Sequence, residues 1–266
     1  MLEALIALLF GLLIGSFLNV CIHRMPRDLS VVRPRSRCPS CDRQIAWYDN
    51  IPLVSYLMLY GRCRYCRARI PWRYPAVEAL TGALCFGIVL AMGPTVEAAK
   101  LCLLNALLVG LLFTDLEERI LPDEFTLGGL LAAVGLAWFV PVRDFLGRAA
   151  LSLYGVEWGP NASSVAEAVF GAAVPAGFLW LAGFLFEKIR HKQGLGLGDV
   201  KMVAMIGAFL GIRGALLVLV VGSVTGSVVG LLYIALTRKD SSTYELPFGT
   251  FLGVAGIAVS LYLGVE

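Results

Sequence analysis

Two aspartates at the ends of apolar segments are the residues of this chain best suited to catalysis. Residues 194–201 read GLGLGDVK and contain Asp199, and Asp115 follows the apolar run 111–114. An ionisable side chain at a membrane boundary is costly and indicates a function. Two neighbouring carboxyl groups share one proton, because both cannot ionise side by side. Such a pair can activate water and protonate a leaving amine, which is the chemistry of an aspartic protease.

Each aspartate alone also has an ordinary structural explanation. Asp115 could be a solvated residue at a helix end. Asp199 could cap a helix N-terminus, where a carboxylate suits the free N–H groups and the helix dipole. The glycines before Asp199 do not form a nucleotide-binding motif, because no strand precedes them and the Gly-x-Gly-x-x-Gly spacing is incomplete. They indicate room for a substrate backbone instead.

Four cysteines form a candidate metal site. Cys38 and Cys41 are separated by two residues, as are Cys63 and Cys66, and 21 residues lie between the pairs. Zn²⁺ takes four thiolates in tetrahedral geometry, and a two-residue gap lets both sulfurs of a pair reach one ion. The alternative is two disulfides, which a reducing cytoplasmic location disfavours. The spacing predicts one structural Zn²⁺ held by all four cysteines.

Composition predicts that these residues belong to a membrane protein. The chain has 266 residues, of which 58% are hydrophobic and 15% charged, whereas about a quarter of the residues of a soluble domain are charged. The apolar residues form long uncharged runs, and the first lacks the basic start and cleavage site of a signal peptide. We predict an all-α polytopic protein with about eight transmembrane helices, at residues 2–22, 76–92, 98–114, 125–142, 165–186, 201–212, 214–236 and 249–264.

The basic residues predict the topology. Eleven of the 22, all of them arginine, lie between His23 and Pro75, and Lys and Arg collect in cytoplasmic loops. With this loop inside, 18 basic residues fall inside and four outside, and both termini lie outside. Asp115 then ends an inward-running segment and Asp199 precedes an outward-running one, so both reach the cytoplasmic face. No aromatic-basic motif accompanies the arginines, which argues against nucleic-acid binding.

The chain is predicted to have three parts: a first transmembrane helix at 1–22, a cytoplasmic zinc-binding loop domain at 23–75, and a transmembrane protease core at 76–266. Within the core, Glu78 could be a first-turn acid or a polar contact inside the bundle. The outer loop contains a turn signal at 158–160. Small-residue spacings predict helix-packing faces, at Gly11/Gly15, Gly207/Gly211 and Gly222/Gly226/Gly230. The remaining cysteines, Cys21, Cys85 and Cys102, are predicted to be buried apolar residues.

In their order along the chain, these motifs resemble those of the bacterial type IV prepilin peptidase family. The resemblance rests on GSFLNV at 15–20, the two cysteine pairs, RYPAVEALT at 73–81, TD at 114–115, LPD at 121–123 and GLGDVK at 196–201. It covers nearly the whole chain. It implies a Gly-x-Gly-Asp aspartic protease with Asp115 and Asp199 as the catalytic pair, without distinguishing the base from the acid.

The resemblance also implies a substrate and a location. The substrate would be a prepilin or pseudopilin with a short basic leader and a hydrophobic helix, cleaved after a glycine at the cytoplasmic face of the bacterial inner membrane. Members of the family then methylate the new N-terminal amine with S-adenosylmethionine, for which no residue here identifies a site. No feature indicates the oligomeric state.

Two other functional classes would account for part of this sequence. A transporter can carry paired acids, but these should lie near the membrane midplane within an inverted repeat, and neither feature is evident. A membrane-anchored zinc scaffold without catalysis would need neither aspartate.

Overall fold

Most of the chain is helical in the part that the structure describes. The structure is a computed structural model that describes residues 1–142, 144, 147–149, 159–191, 195–237 and 247–265. Its helices are α1 (Leu2–Arg24), α2 (Val54–Met58), α3 (Arg73–Met92), α4 (Val96–Glu118), α5 (Asp123–Ala137), α6 (Pro160–Arg190), α7 (Leu197–Thr237) and α8 (Phe248–Val265). Several residues used in the predictions lie outside the described ranges, namely Arg143, Trp158, Lys192, Gly194, Arg238 and Lys239. No strand occurs within those ranges, as the all-α prediction requires.

Five helices, α1, α3, α4, α6 and α7, are long and apolar enough to cross a membrane. The chain is therefore a multi-pass membrane protein. Each of the eight predicted segments falls on a helix, but the sixth and seventh are two parts of α7, so the number of eight spans stays a prediction. The fourth segment was predicted to reach residue 142, whereas α5 ends at Ala137. Pro141 accounts for this end, because its ring would clash with the Ala137 carbonyl and it has no N–H to donate.

The chain divides into two compact units, Met1–Thr114 and Asp115–Glu266. In the first unit, α1 and α3 pack with their backbones close together. A Cβ on Gly11 would lie 2.8 Å from the Cα of Gly82, and one on Gly15 would lie 2.7 Å from the Cα of Glu78. Only glycine permits such an approach. The predicted packing face of α1 is confirmed.

Glu78 connects the loop at residues 23–75 to this pair of helices. Its buried carboxylate accepts a hydrogen bond from the Leu53 N–H at 2.9 Å and another from the side chain of Ser16. Leu53 has a φ of 58°, a conformation that residues with side chains rarely adopt. Of the two roles considered for Glu78, the structure assigns the polar contact inside the bundle.

In the second unit, α6 and α7 cross at two glycines. A Cβ on Gly207 would overlap the carbonyl oxygen of Gly171, and a Cβ on Gly171 would overlap that of Gly207. Farther along α7, Gly222 and Gly226 accommodate side chains of α8. The predicted packing roles of Gly207, Gly222 and Gly226 are therefore confirmed.

Gly211 interrupts the helical conformation of α7 and lets Asp144 lie against the backbone there. Its φ of 77° and ψ of −178° are not helical, and a Cβ there would lie 2.5 Å from the Cβ of Asp144. The carboxylate of Asp144, only 2% exposed, accepts a hydrogen bond from the Ile212 N–H at 2.7 Å. It satisfies an N–H group that the interrupted helix leaves without its usual acceptor.

The glycine crossing leads to a prediction about stability. Gly207→Ala should lower the free energy of unfolding by about 1–3 kcal/mol, because its methyl group would force α6 and α7 apart. Gly177→Ala is the matched control, since a Cβ there has no atom within 4 Å. Alanine favours helix over glycine, so the control should be neutral or stabilising. Thermal unfolding of both variants in detergent checks this, and equal stabilities would contradict the described crossing.

Candidate active site and metal centre

Asp115 lies in the last turns of α4 and is held by the start of α8. It is 6% exposed, and its Oδ2 accepts hydrogen bonds from the Thr250 N–H at 2.6 Å and the Thr250 hydroxyl at 2.8 Å. A Cβ on Gly249 would lie 3.1 Å from the Cγ of Asp115. The first N–H groups of a helix have no partner within the helix, so the N-terminus of α8 suits a carboxylate.

Sequence reasoning missed the role of Thr250. The signal that could have found it is residues 247–250, which read PFGT. A proline, a small residue and a hydroxyl residue at a helix start are typical of a turn that presents free donors.

Asp199 lies in the first turn of α7, a helix that begins four residues earlier than predicted. The prediction started this segment at residue 201, whereas α7 starts at Leu197. The Asp199 carboxylate accepts a hydrogen bond from the Gly196 N–H, and the Asp199 N–H donates to the Gly196 carbonyl at 3.2 Å. This is the reach-back contact of a capping box, made from the third helical position. Asp199 thus stabilises the helix start, as that explanation requires, but it does so from the third helical position and not as the N-cap residue.

The two aspartates are neighbours in the second unit. They are close enough for the charge of Asp115 to act on Asp199. Leu121 packs near both, because a Cβ on Gly198 would lie 3.1 Å from the Leu121 Cβ, and one on Gly249 would lie 3.0 Å from the Leu121 Cδ2. The predicted convergence of the two acids is therefore present in the structure.

An ion pair holds the start of α7 against the start of α5. The Nζ of Lys201 lies 2.7 Å from Oδ1 and 3.0 Å from Oδ2 of Asp123. Both side chains are partly exposed, and exposed ion pairs add little stability. This contact helps to orient the helix turn that carries Asp199.

A cleft of about 340 Å³ opens beside the Asp199 turn. One wall is α6 and the other is the start of α7; together they contribute Trp180, Gly183, Phe184, Glu187, Leu195, Gly196, Leu197 and Val200. The four α6 residues are spaced i, i+3, i+4 and i+7, which puts them on one helix face. Gly196, which bonds to Asp199, is part of the lining.

The four predicted zinc ligands come together in the loop at residues 23–75. The sulfur atoms of Cys38, Cys41, Cys63 and Cys66 all lie within 4.8 Å of one another, and the Cys38 and Cys66 sulfurs are 3.7 Å apart. Tetrahedral Zn–S bonds of about 2.3 Å require sulfur separations of about 3.8 Å. All four are free thiols in the structure, and the donor set fits Zn²⁺.

The two cysteine pairs are held by equivalent turns. The Cys38 N–H donates a hydrogen bond to the Arg43 carbonyl at 3.0 Å. In the same way, the Cys63 N–H donates to the Ala68 carbonyl at 2.8 Å. A β-bridge flanks each turn, between Arg37 and Gln44 in one and Arg62 and Arg69 in the other. The N–H groups of Cys66 and Tyr65 lower the pKa of the Cys63 thiol to about 7, which favours the thiolate that binds metal.

The other cysteines are not part of this centre. Cys21 and Cys85 are buried, as predicted, whereas Cys102 is only half-buried.

Comparisons with known proteins agree with these features. The profile of the bacterial peptidase A24 N-terminal domain matches residues 9–92, and that of the type IV leader peptidase family matches residues 102–231. No solved structure matches the chain.

Curated relatives match over most of the chain, and each is named prepilin leader peptidase/N-methyltransferase. The protein of Myxococcus xanthus (strain DK1622) is 42% identical over 91% of this chain and 66% of its own length. That of Stutzerimonas stutzeri is 34% identical over 97% of this chain and 90% of its own length. That of Pseudomonas aeruginosa is 33% identical over 95% of this chain and 88% of its own length. This chain thus spans about two thirds of the M. xanthus relative and most of the others.

Proposed function

The chain belongs to the type IV leader peptidase family, and we propose that it is an aspartic endopeptidase that cleaves the leader from type IV prepilins or pseudopilins. Cleavage would follow a glycine at the cytoplasmic face of the bacterial inner membrane. The observation that carries the proposal is the approach of Asp115 and Asp199, from separate helices, beside a glycine-lined cleft.

The proposed mechanism uses the two carboxyl groups as a base and an acid. One carboxylate accepts a proton from a water molecule, which attacks the scissile carbonyl, and the other carboxyl group donates a proton to the leaving amine. Thr250 holds Asp115, and Gly196 holds Asp199, so that both groups are positioned before the substrate binds. The glycines at 196 and 198 leave room for an unwound peptide backbone.

The zinc centre has a structural role in this proposal. Cys38, Cys41, Cys63 and Cys66 would hold one Zn²⁺, and a closed four-thiolate site leaves no position for substrate. A loop as short as residues 23–75 is too small for a hydrophobic core of its own. We therefore retain the division into a first helix (1–22), a zinc-binding loop domain (23–75) and a protease core (76–266).

The second proposed activity is methylation of the new N-terminal amine by S-adenosylmethionine. Its support is the name of the relatives, N-methyltransferase. Within the described residues, no motif identifies the side chains that would hold the methyl donor.

One experiment tests both activities. The purified protein in liposomes is incubated with a full-length prepilin, and the product N-terminus is read by mass spectrometry with and without S-adenosylmethionine. We expect a single cut after the leader glycine, and a mass increase of one methyl group only with the donor. An uncut substrate would refute the peptidase, and a product that is never methylated would refute the transferase.

Thr250 provides a further prediction. Thr250→Val removes the hydroxyl donor to Asp115 but keeps the N–H donor, and should lower kcat about tenfold, since hydrogen bonds to charged groups contribute about 1.5–3 kcal/mol. Thr250→Ser keeps the hydroxyl and should retain most activity. Cleavage kinetics of the two variants check this. A valine variant as active as the serine variant would show that the hydroxyl does not act on Asp115.

A further inference from the structure

The cleft between α6 and the start of α7 has an apolar end and an acidic end. Trp180 and Phe184 stack with ring centroids 5.6 Å apart and planes at 15°. Glu187 follows Phe184 by three residues and Trp180 by seven, so it lies about 10 Å beyond Trp180 on the same helix face. Glu187 is the one charged residue among the lining residues that the structure describes.

The cleft reaches the turn that carries Asp199. A Cβ on Gly183 would lie 3.1 Å from the Cβ of Leu195, so this glycine lets the chain before α7 approach α6. The next residue, Gly196, exchanges hydrogen bonds with Asp199. A peptide lying in the cleft would therefore have its backbone beside Asp199.

The polarity of the cleft fits one occupant. An exposed acid disfavours the anionic headgroups of the cytoplasmic leaflet, so lipid alone is a poor match for the Glu187 end. An extended segment with a cationic residue followed by apolar residues matches both ends. With α6 running inward, Glu187 faces the cytoplasm and Trp180 lies deeper, which is the order of a basic leader and its hydrophobic helix.

We propose that this cleft binds the substrate across the scissile bond, with Glu187 pairing with a basic leader residue and Trp180 and Phe184 contacting the apolar residues after it. The inference rests on the proposed peptidase function and identifies the residues that determine its specificity. Glu187 is a binding residue here and takes no part in the chemical step.

A charge-exchange experiment tests the pairing with Glu187. Glu187→Gln should raise KM about threefold for a prepilin with a basic leader and leave kcat within about twofold, because an ion pair with an exposed carboxylate acts in binding and is partly screened by water. Replacing the leader lysine by glutamine should raise the KM of the native protein by about the same factor. The same replacement should leave the KM of the Glu187→Gln variant almost unchanged. Glu187→Lys should prefer a leader in which the lysine has become glutamate.

The control is Glu124→Gln, which makes the same charge change at an exposed position of α5; KM should not change. Glu187 variants that show the same leader-charge preference as the native protein would overturn the inference while the peptidase stands. If the native protein cleaves no prepilin, the proposed function and this inference fail together.

A second measurement uses only the native protein and so does not depend on how variants fold. A prepilin carrying a photoreactive phenylalanine analogue just after the cleavage site should crosslink to the α6 segment that contains Trp180 and Phe184. Crosslinks that leave out this α6 segment, or that form with lipid alone, would overturn the assignment of the apolar end.

Discussion

Asp199→Asn is expected to reduce prepilin cleavage by about 10³-fold or more, since general acid–base catalysis contributes about 10²–10⁴-fold and asparagine cannot carry the proton. Asparagine has nearly the same shape, and its amide oxygen can still accept the hydrogen bond from the Gly196 N–H. The loss should therefore appear in kcat while the protein stays folded. Cleavage of a fluorescent prepilin in liposomes, together with thermal unfolding, measures both quantities.

Asp115→Asn should give a loss of the same size, because a pair that shares one proton fails when either member is changed. The double variant should be no worse than either single one. Glu124→Gln is the control, because it neutralises an exposed acid in the same unit outside the dyad, and it should keep its cleavage activity. Substantial cleavage by either asparagine variant would rule out the dyad and would favour the scaffold interpretation.

Loss of one cysteine ligand is expected to have the second large effect. Cys38→Ser should lower the zinc content from about one ion per chain to nearly none, because a structural site needs all four ligands and contributes about 10–16 kcal/mol of apparent binding free energy. Residues 23–75 should then become sensitive to proteolysis, since the ion takes the place of a core. Elemental analysis and limited digestion measure the two effects.

Cys102→Ala is the matched control, because it also removes a thiol from the first unit but lies outside the cysteine cluster. It should keep its zinc and its resistance to protease. Purified native protein that is fully reduced, metal-free and still protected in this loop would refute the zinc site.

Much of the fold follows from features that are local in sequence. The apolar runs predicted the helices, because a backbone in lipid must satisfy its own hydrogen bonds. The cysteine spacing predicted the cluster, because two residues between ligands are enough for both sulfurs to reach one ion. The opposite directions of two segments predicted that Asp115 and Asp199 would meet.

The features that sequence reasoning missed depend on contacts between distant residues. Thr250 holds Asp115 through the start of another helix, and Asp144 satisfies the Ile212 N–H where α7 is interrupted. Neither partner could be identified from spacing, since nothing local relates the two residues. The start of α7 was predicted too late because Leu197 and the glycines have no polar cap to mark it. The α6–α7 cleft depends on a pairing of helices that hydropathy does not determine.

The short helical stretch between Asp199 and Gly207 controls two geometric properties at once. Gly207 is packed against Gly171 and follows Asp199 by eight positions of α-helix, a rise of about 12 Å. Each residue also turns the helix by about 100°. A deletion or insertion of one residue here would change the depth of Asp199 only slightly but would rotate its carboxyl group away from Asp115. The number of residues in this stretch is therefore constrained far more by the direction in which Asp199 points around the helix axis than by its distance from Gly207.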